Sequence, residues 1–185
     1  RWLSGDREGN AELRKGTWRA LEEMLYTGKA RAIGVSNYTE RHLDETLAYC
    51  SAPPSVNQIE MHPYNQQRGL VCACRERGIQ VEAYSPLASS RLGVLKDPVI
   101  LQLARRRGAT PAQVVLAWLL EKGALPIPKS SSPVRLAENL DAPARVGRLT
   151  EEEVGAVNAL ERGIPCDVTA PLLGGTGLLD PSRIA

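Results

Sequence analysis

The sequence predicts an α/β fold in which a parallel sheet is covered by helices. Helix-period and strand-like segments alternate along the chain, strand then helix four times over with extra helices, and such alternation pairs strands in parallel. The strand-like runs are short and end in turn residues, whereas the helical runs carry recognisable starts and stops.

The elements follow in order. Ala11 to Thr27 repeats apolar residues at Trp18, Leu21 and Leu25 on one helical face, and Gly28 stops it. Ala30 to Val35 is too brief for a helix and ends in Ser36-Asn37, which predicts a strand. Thr39 to Tyr49 reads as a helix with Leu43 and Leu47 at i and i+4, and Pro53-Pro54 break the chain before a second strand, Val56 to Met61. A helix from Gly69 to Arg77 closes at Gly78, and a third strand runs from Ile79 to Tyr84. Asp97 to Arg107 forms the next helix. Thr110-Pro111-Ala112-Gln113 then opens another, with a capping box and proline at the first helical position. The fourth strand, Ala124 to Ile127, precedes a helix opened by Ser132-Pro133. Thr150-Glu151-Glu152-Glu153 is a further capping box, and that helix is expected to run to Gly163. The first three strands recur roughly every 25 residues, near the unit size of a (β/α)8 barrel, but a doubly wound sheet needs the same alternation.

Composition removes several classes. With 23 Lys plus Arg against 21 Asp plus Glu, the net charge of +2 offers no field for nucleic acid or a membrane surface. The longest apolar run, Val114 to Leu120, is far short of the roughly 20 residues a membrane span needs. The first residues lack an apolar signal core. Four cysteines make no disulfide scaffold in a chain of 185 residues. Cys72 and Cys74 fall on a helix, where i and i+2 point apart, and Cys50 and Cys166 lack a histidine or cysteine at ligand spacing. Reduced cytoplasmic thiols used as small apolar residues are the expectation, and no metal site is. The chain begins on Arg1 rather than methionine, as expected of a segment of a longer protein or a processed product.

Each strand ends in hydrogen-bonding residues: Ser36-Asn37, then Gln58 and Glu60, then Tyr84-Ser85, then Lys129-Ser130. Ligand sites in parallel α/β folds lie beyond the carboxyl ends of strands, so four such ends together suggest a shared rim, although each alone is ordinary turn chemistry. Ser132 caps the following helix, which puts Arg135 in its first turn, with Lys129 just before it. Two cations beside a helix N-terminus oppose the dipole and make sense if a phosphate binds there; two solvated basic residues are the plainer alternative. Glu138 and Asn139 share the face of Arg135. The run Arg105-Arg106-Arg107 at a helix end is explained by the dipole alone, and Trp118 lies in an apolar helix as a core residue.

Taken together, Gly34-Val35-Ser36-Asn37, Asn57-Gln58-Ile59-Glu60-Met61-His62-Pro63, Ala83-Tyr84-Ser85-Pro86-Leu87 and Ile127-Pro128-Lys129-Ser130, followed by Arg135 and Glu138-Asn139, resemble the successive signatures of the aldo-keto reductases. The similarity runs from Lys15 to Leu140. It implies a (β/α)8 TIM barrel, of which this chain carries about the last four βα units plus extra helices. The whole of residues 1–185 would be one such domain, with 164–185 as a C-terminal loop. It implies NADPH as cofactor, and reduction of small aldehydes and ketones to alcohols. By resemblance, Ser36, Asn37 and Gln58 hold the nicotinamide carboxamide and Tyr84 stacks under the ring. The loop Ser85-Pro86-Leu87-Ala88-Ser89 passes over the pyrophosphate. Lys129, Ser130 and Arg135 take the 2′-phosphate, and Glu138 and Asn139 meet the adenine end. Tyr38 stands where the family usually has phenylalanine.

The family's proton-donating tyrosine, with its lysine, aspartate and histidine, belongs to its first four strands, so the resemblance assigns no catalytic residue here. His62 is expected to be structural, at a strand end. The enzyme reading, in which this is the cofactor half of a reductase, stands beside a non-catalytic or regulatory NADPH-binding half-barrel and an inactive truncated product. Half a barrel exposes two sheet edges, and Glu60 and Glu82 at inward positions need partners. A marginal or self-associating chain is therefore expected.

Overall fold

The computed structural model describes residues 7–88 and 92–166. It contains α1 (Arg7–Tyr26), β1 (Gly34–Ser36), α2 (Glu40–Leu47), β2 (Val56–Glu60), α3 (Arg68–Glu76) and β3 (Gln80–Tyr84). A 3-10 turn at Val94–Lys96 follows, then α4 (Pro98–Arg107), α5 (Pro111–Glu121), β4 (Ala124–Pro126), α6 (Pro133–Val146) and α7 (Glu151–Asn158). The four strands form one sheet in the order β1-β2-β3-β4. Pairing is parallel, with Gly34 opposite Val56 and Val81 opposite Ala124.

The helix starts are where their side chains put them. Asp97 accepts from Val99 N–H at 2.9 Å, Thr110 from Gln113 N–H at 3.2 Å and Thr150 from Glu153 N–H at 3.2 Å, each satisfying a donor the helix leaves orphaned. Pro98, Pro111 and Pro133 occupy first helical positions, where a missing N–H costs nothing. The strands are shorter than their apolar runs. β1 begins only at Gly34, where a Cβ would lie 2.8 Å from the Val56 carbonyl oxygen, so glycine permits the close approach of the two backbones.

The helix expected to reach Gly163 ends at Asn158. Beyond it the chain turns to Tyr64, whose carbonyl accepts from Arg162 and Ile164 N–H at 3.2 and 3.1 Å. Those bonds offer the backbone partners that continued helix would otherwise supply.

The chain divides into two compact units, one holding residues 7–58 and 69–80, the other 59–68 with 81–88 and 92–166. In the first, Trp18, Leu43 and Cys74 are buried. Glu22 caps the 51–52 turn by accepting from Ser51 and Ala52 N–H at 2.6 and 2.8 Å. In the second, Ile100, Val114, Trp118, Leu119 and Val157 form the core, and Trp118 Nε1–H donates to Asn158 Oδ1 at 3.1 Å. Along β3, Val81 and Ala83 are buried while Gln80, Glu82 and Tyr84 are half-buried, the period-two pattern of a strand with one face against helices. Among the described residues no helix is long and apolar enough to cross a membrane.

Candidate functional site

In the first unit, Ser36 closes β1 and its Oγ–H donates to the Gln58 carbonyl at 3.0 Å. Asn37 follows at φ 57°, a left-handed conformation asparagine tolerates, and its N–H donates to the same carbonyl at 2.9 Å. Gln58, in the middle of β2, is half-buried. Its neighbour Asn57 stands in the same sequence signature but is given no role by it. Fully buried, it accepts from Tyr38 N–H at 3.3 Å and donates Nδ2–H to the Tyr38 carbonyl at 2.9 Å. This two-way amide bridge holds the turn that presents Ser36 and Asn37. The only available signal is its place on the opposite face of β2 from Gln58.

In the second unit, Tyr84 ends β3 and is followed by Ser85 at φ 48° and Ala88 at φ 54°. Two non-glycine residues in the left-handed region make this a tightly specified loop, closed by Ala88 N–H donating to the Ser85 carbonyl at 2.8 Å. Leu87 is half-buried within it, and Ser89 lies outside the described residues. Beyond β4, Ser130 Oγ accepts from Ser132 N–H at 3.2 Å, and Ser132 in turn caps α6 by accepting from Arg135 N–H at 3.4 Å. Lys129 and Arg135 are exposed on either side of this cap, and neither side chain makes an ion pair or hydrogen bond among the described residues. Glu138 and Asn139 follow, half-buried, in the second turn of α6. A groove of about 540 Å³ beside α6 is lined by Thr110, Gln113, Ala137, Glu138 and Asp141 among others. Arg107, expected to be a solvated dipole partner, instead forms a two-pronged ion pair with Glu153 of α7. The Arg107 guanidinium holds the Glu153 carboxyl down at about 2.

Distant chain segments also build a buried cluster. Cys166, which has no ligand-spaced neighbour in sequence, lies with Glu60 and His62, all three buried, their ligand atoms within 4.8 Å of one another. Glu60, whose partners could have been sought on other strands, finds them here: His62 Nε2 at 2.9 Å, together with the Cys166 N–H and thiol. Burial pushes the Glu60 carboxyl up, but these hydrogen bonds outweigh it and hold it below its ordinary value. The hydrogen bonds set the tautomer of the ring. His62 Nδ1 accepts from Tyr64 N–H at 3.3 Å, so the neutral ring carries its proton on Nε2, aimed at Glu60. Binding a cation through Nε2 would move that proton to Nδ1, against the Tyr64 N–H. The cluster is a hydrogen-bonded anchor between the end of β2 and the segment after α7, with His62 fully buried in it.

The described residues thus combine a parallel sheet, polar residues at its strand ends and a capped, cationic start to α6. The aldo/keto reductase family matches over residues 12–162, and the chain belongs to that family. It is 42% identical over 134 residues to aldo-keto reductase family 1 member A1 of Bos taurus, covering 68% of this chain and 41% of that protein. It is 41% identical over 145 residues to the 9,11-endoperoxide prostaglandin H2 reductase of Trypanosoma cruzi, covering 78% of this chain and 50% of that one. A Bombyx mori aldo-keto reductase solved in complex with NADP superposes with a TM-score of 0.77 at 34% identity, over 83% of this chain and 52% of that structure. An aldo-keto reductase from a Medee basin deep-sea metagenome library superposes with a TM-score of 0.80 at 33% identity, over 83% and 57% of the two chains. The chain therefore spans about half the length of the relatives it matches.

Proposed function

We propose that this chain is the cofactor-holding portion of an NADPH-dependent aldo-keto reductase that reduces small aldehydes and ketones to alcohols. NADPH, when bound, supplies the hydride. In the first unit, the Ser36 hydroxyl and the amides of Asn37 and Gln58 hold the nicotinamide carboxamide, which needs both donors and acceptors. In the second, Tyr84 stacks on the ring, Ser85, Leu87 and Ser89 follow the pyrophosphate, and Lys129, Ser130 and Arg135 take the 2′-phosphate. Glu138 and Asn139 meet the adenine. No residue of this chain is assigned the proton transfer, so the chain by itself is inactive. Reading residues 1–185 as one domain of the cytoplasm fits its four free thiols.

The observation that supports this reading best is the pair of cations, unpartnered among the described residues, flanking the capped start of α6, the donor set a phosphomonoester dianion needs. Fluorescence titration of the purified chain tests it. Replacing Lys129 and Arg135 by alanine should weaken NADPH about 10–100-fold and NADH by less than threefold or so, since the two cofactors differ only in that phosphate. Equal losses for both cofactors would overturn the assignment.

Self-association is the second part of the proposal. Leu125 and Ile127 at β4, a sheet edge, and Leu136 and Leu140 on α6 are exposed apolar side chains. Light scattering after gel filtration should show a mass that rises with concentration, and a strictly monomeric chain would remove this part alone.

A further inference from the structure

The α5 capping box does more than start a helix. Thr110 Oγ accepts from Gln113 N–H at 3.2 Å, and Gln113 Oε1 accepts from Thr110 N–H at 3.0 Å, which completes the box. A threonine hydroxyl has a single proton, and with its oxygen already accepting, that proton is available elsewhere. It goes to Glu138 Oε1 on α6. Gln113 Nε2–H meanwhile donates to the main-chain carbonyl of the same Glu138 at 3.1 Å. Both residues of one box thus grip one carboxylate-bearing residue across two helices, fixing its main chain and one of its oxygens. The other oxygen has no hydrogen-bond partner among the described residues, and Glu138 lines the open groove of about 540 Å³.

We infer that Thr110 is a positioning residue that holds Glu138 as a fixed acceptor selecting 6-aminopurine over 6-oxopurine nucleotides. An ionised carboxylate only accepts. It pairs with an exocyclic 6-amino group, which donates, and repels a 6-oxo group, which accepts. Held at one oxygen, it cannot swing away to relieve that repulsion. A freely rotating glutamate could, and would discriminate poorly. The inference rests on the NADPH reading above and adds to it the residue that makes the adenine end selective.

The test compares NADPH with its reduced hypoxanthine analogue, by fluorescence titration of the full chain. The wild type should favour NADPH by about tenfold or more, the size expected of one hydrogen bond to a charged group. Thr110→Ser keeps both cap and proton and should keep the preference. Thr110→Asp keeps the helix cap, because aspartate accepts from Gln113 N–H as well as threonine does, but it has no proton for Glu138 and repels it. This variant should melt below the wild type because of that repulsion, stay folded at the titration temperature, and bind the two dinucleotides within about twofold of each other. If folded Thr110→Asp still prefers NADPH, or if Thr110→Ser loses the preference, the positioning role is wrong while the cofactor assignment stands. If the wild type binds neither dinucleotide, the cofactor reading itself fails and takes this inference with it.

Discussion

Two polar regions of the second unit are built on opposite principles. At the end of β2, Glu60, His62, Tyr64, Asp97 and Cys166 are buried and their polar atoms are consumed by one another. At the start of α6, Lys129 and Arg135 stand exposed, unpaired among the described residues, and on the wrong end of a helix dipole. Both regions read in sequence as polar residues after a strand. The difference is where desolvation has already been offset. A buried carboxylate with three donors has nothing left to give a ligand, whereas unpaired cations at a helix start keep their whole capacity for one.

The largest effect should come from breaking the consumed region. Glu60→Ala leaves the His62 Nε2–H and the Cys166 N–H buried without an acceptor, and removes the tie between β2 and the segment after α7. Urea denaturation should show a loss of about 2–6 kcal/mol, the cost of leaving two buried donors unsatisfied. Glu60→Gln keeps one acceptor oxygen and should lose less. In molecules of either variant that remain folded, the preference for NADPH over NADH should be unchanged. A shift in that preference would mean the anchor also touches the cofactor, and the contrast would dissolve.

Acid should find a second consumed pair. Glu153, whose hydrogen bonds from Arg107 and from the Thr150 N–H hold its carboxyl down from 4.5 to about 2, is stabilising wherever it is ionised. Its folded value lies below its unfolded one, so the contribution is complete above 4.5 and is lost as pH falls toward 2. Discounted for solvent around the Arg107 side chain, about 1–2 kcal/mol should disappear over that window, and Glu153→Gln should flatten that part of the stability profile. Tyr64→Phe belongs beside it in size. The phenol donates to Asp97 Oδ2 at 2.7 Å, and losing it should cost about 1 kcal/mol, because Asp97 keeps the Val99 N–H and Arg162 nearby and the ring keeps its stacking under Arg162. A loss of several kcal/mol would show that Asp97 is less well served than these contacts imply.

The two regions also differ in how far their sequence reveals them. The start of α6 is local. Ser132, Pro133 and Arg135 lie within four positions, and the cap, the proline and the cation predict their own geometry. The same holds for the boxes at Thr110 and Thr150. The Glu60 cluster is long-range: Cys166 is 106 positions away, and no spacing rule reaches that far. The premature end of α7 has the same cause, since Arg162 and Ile164 leave the helical path for the carbonyl of Tyr64. Arg107, legible as a dipole partner, found a stronger one in Glu153 on another helix. Within the site, the role of Asn57 was hidden because its work is done on the buried face of β2, while Gln58 carries the position to which the signature gives a role. Local hydrogen bonding is written in neighbouring residues; tertiary hydrogen bonding becomes visible only when the fold has brought its partners together.

The smallest effect expected is also the one that separates the regions most cleanly. Replacing Lys129 and Arg135 by alanine removes two exposed charges that no described residue pairs with. Neither contributes an ion pair to stability, and Arg135 sits where the α6 dipole disfavours positive charge. The variant without cofactor should therefore unfold within about 0.5 kcal/mol of the wild type, with any change in the stabilising direction. Saturating NADPH should raise the wild-type melting temperature and raise the variant's far less, because ligand stabilisation follows affinity. A variant that lost more than about 1 kcal/mol without cofactor would show that these cations hold the fold together. The start of α6 would then be a consumed region like the end of β2, and the helix would have a reason other than phosphate for its two misplaced charges.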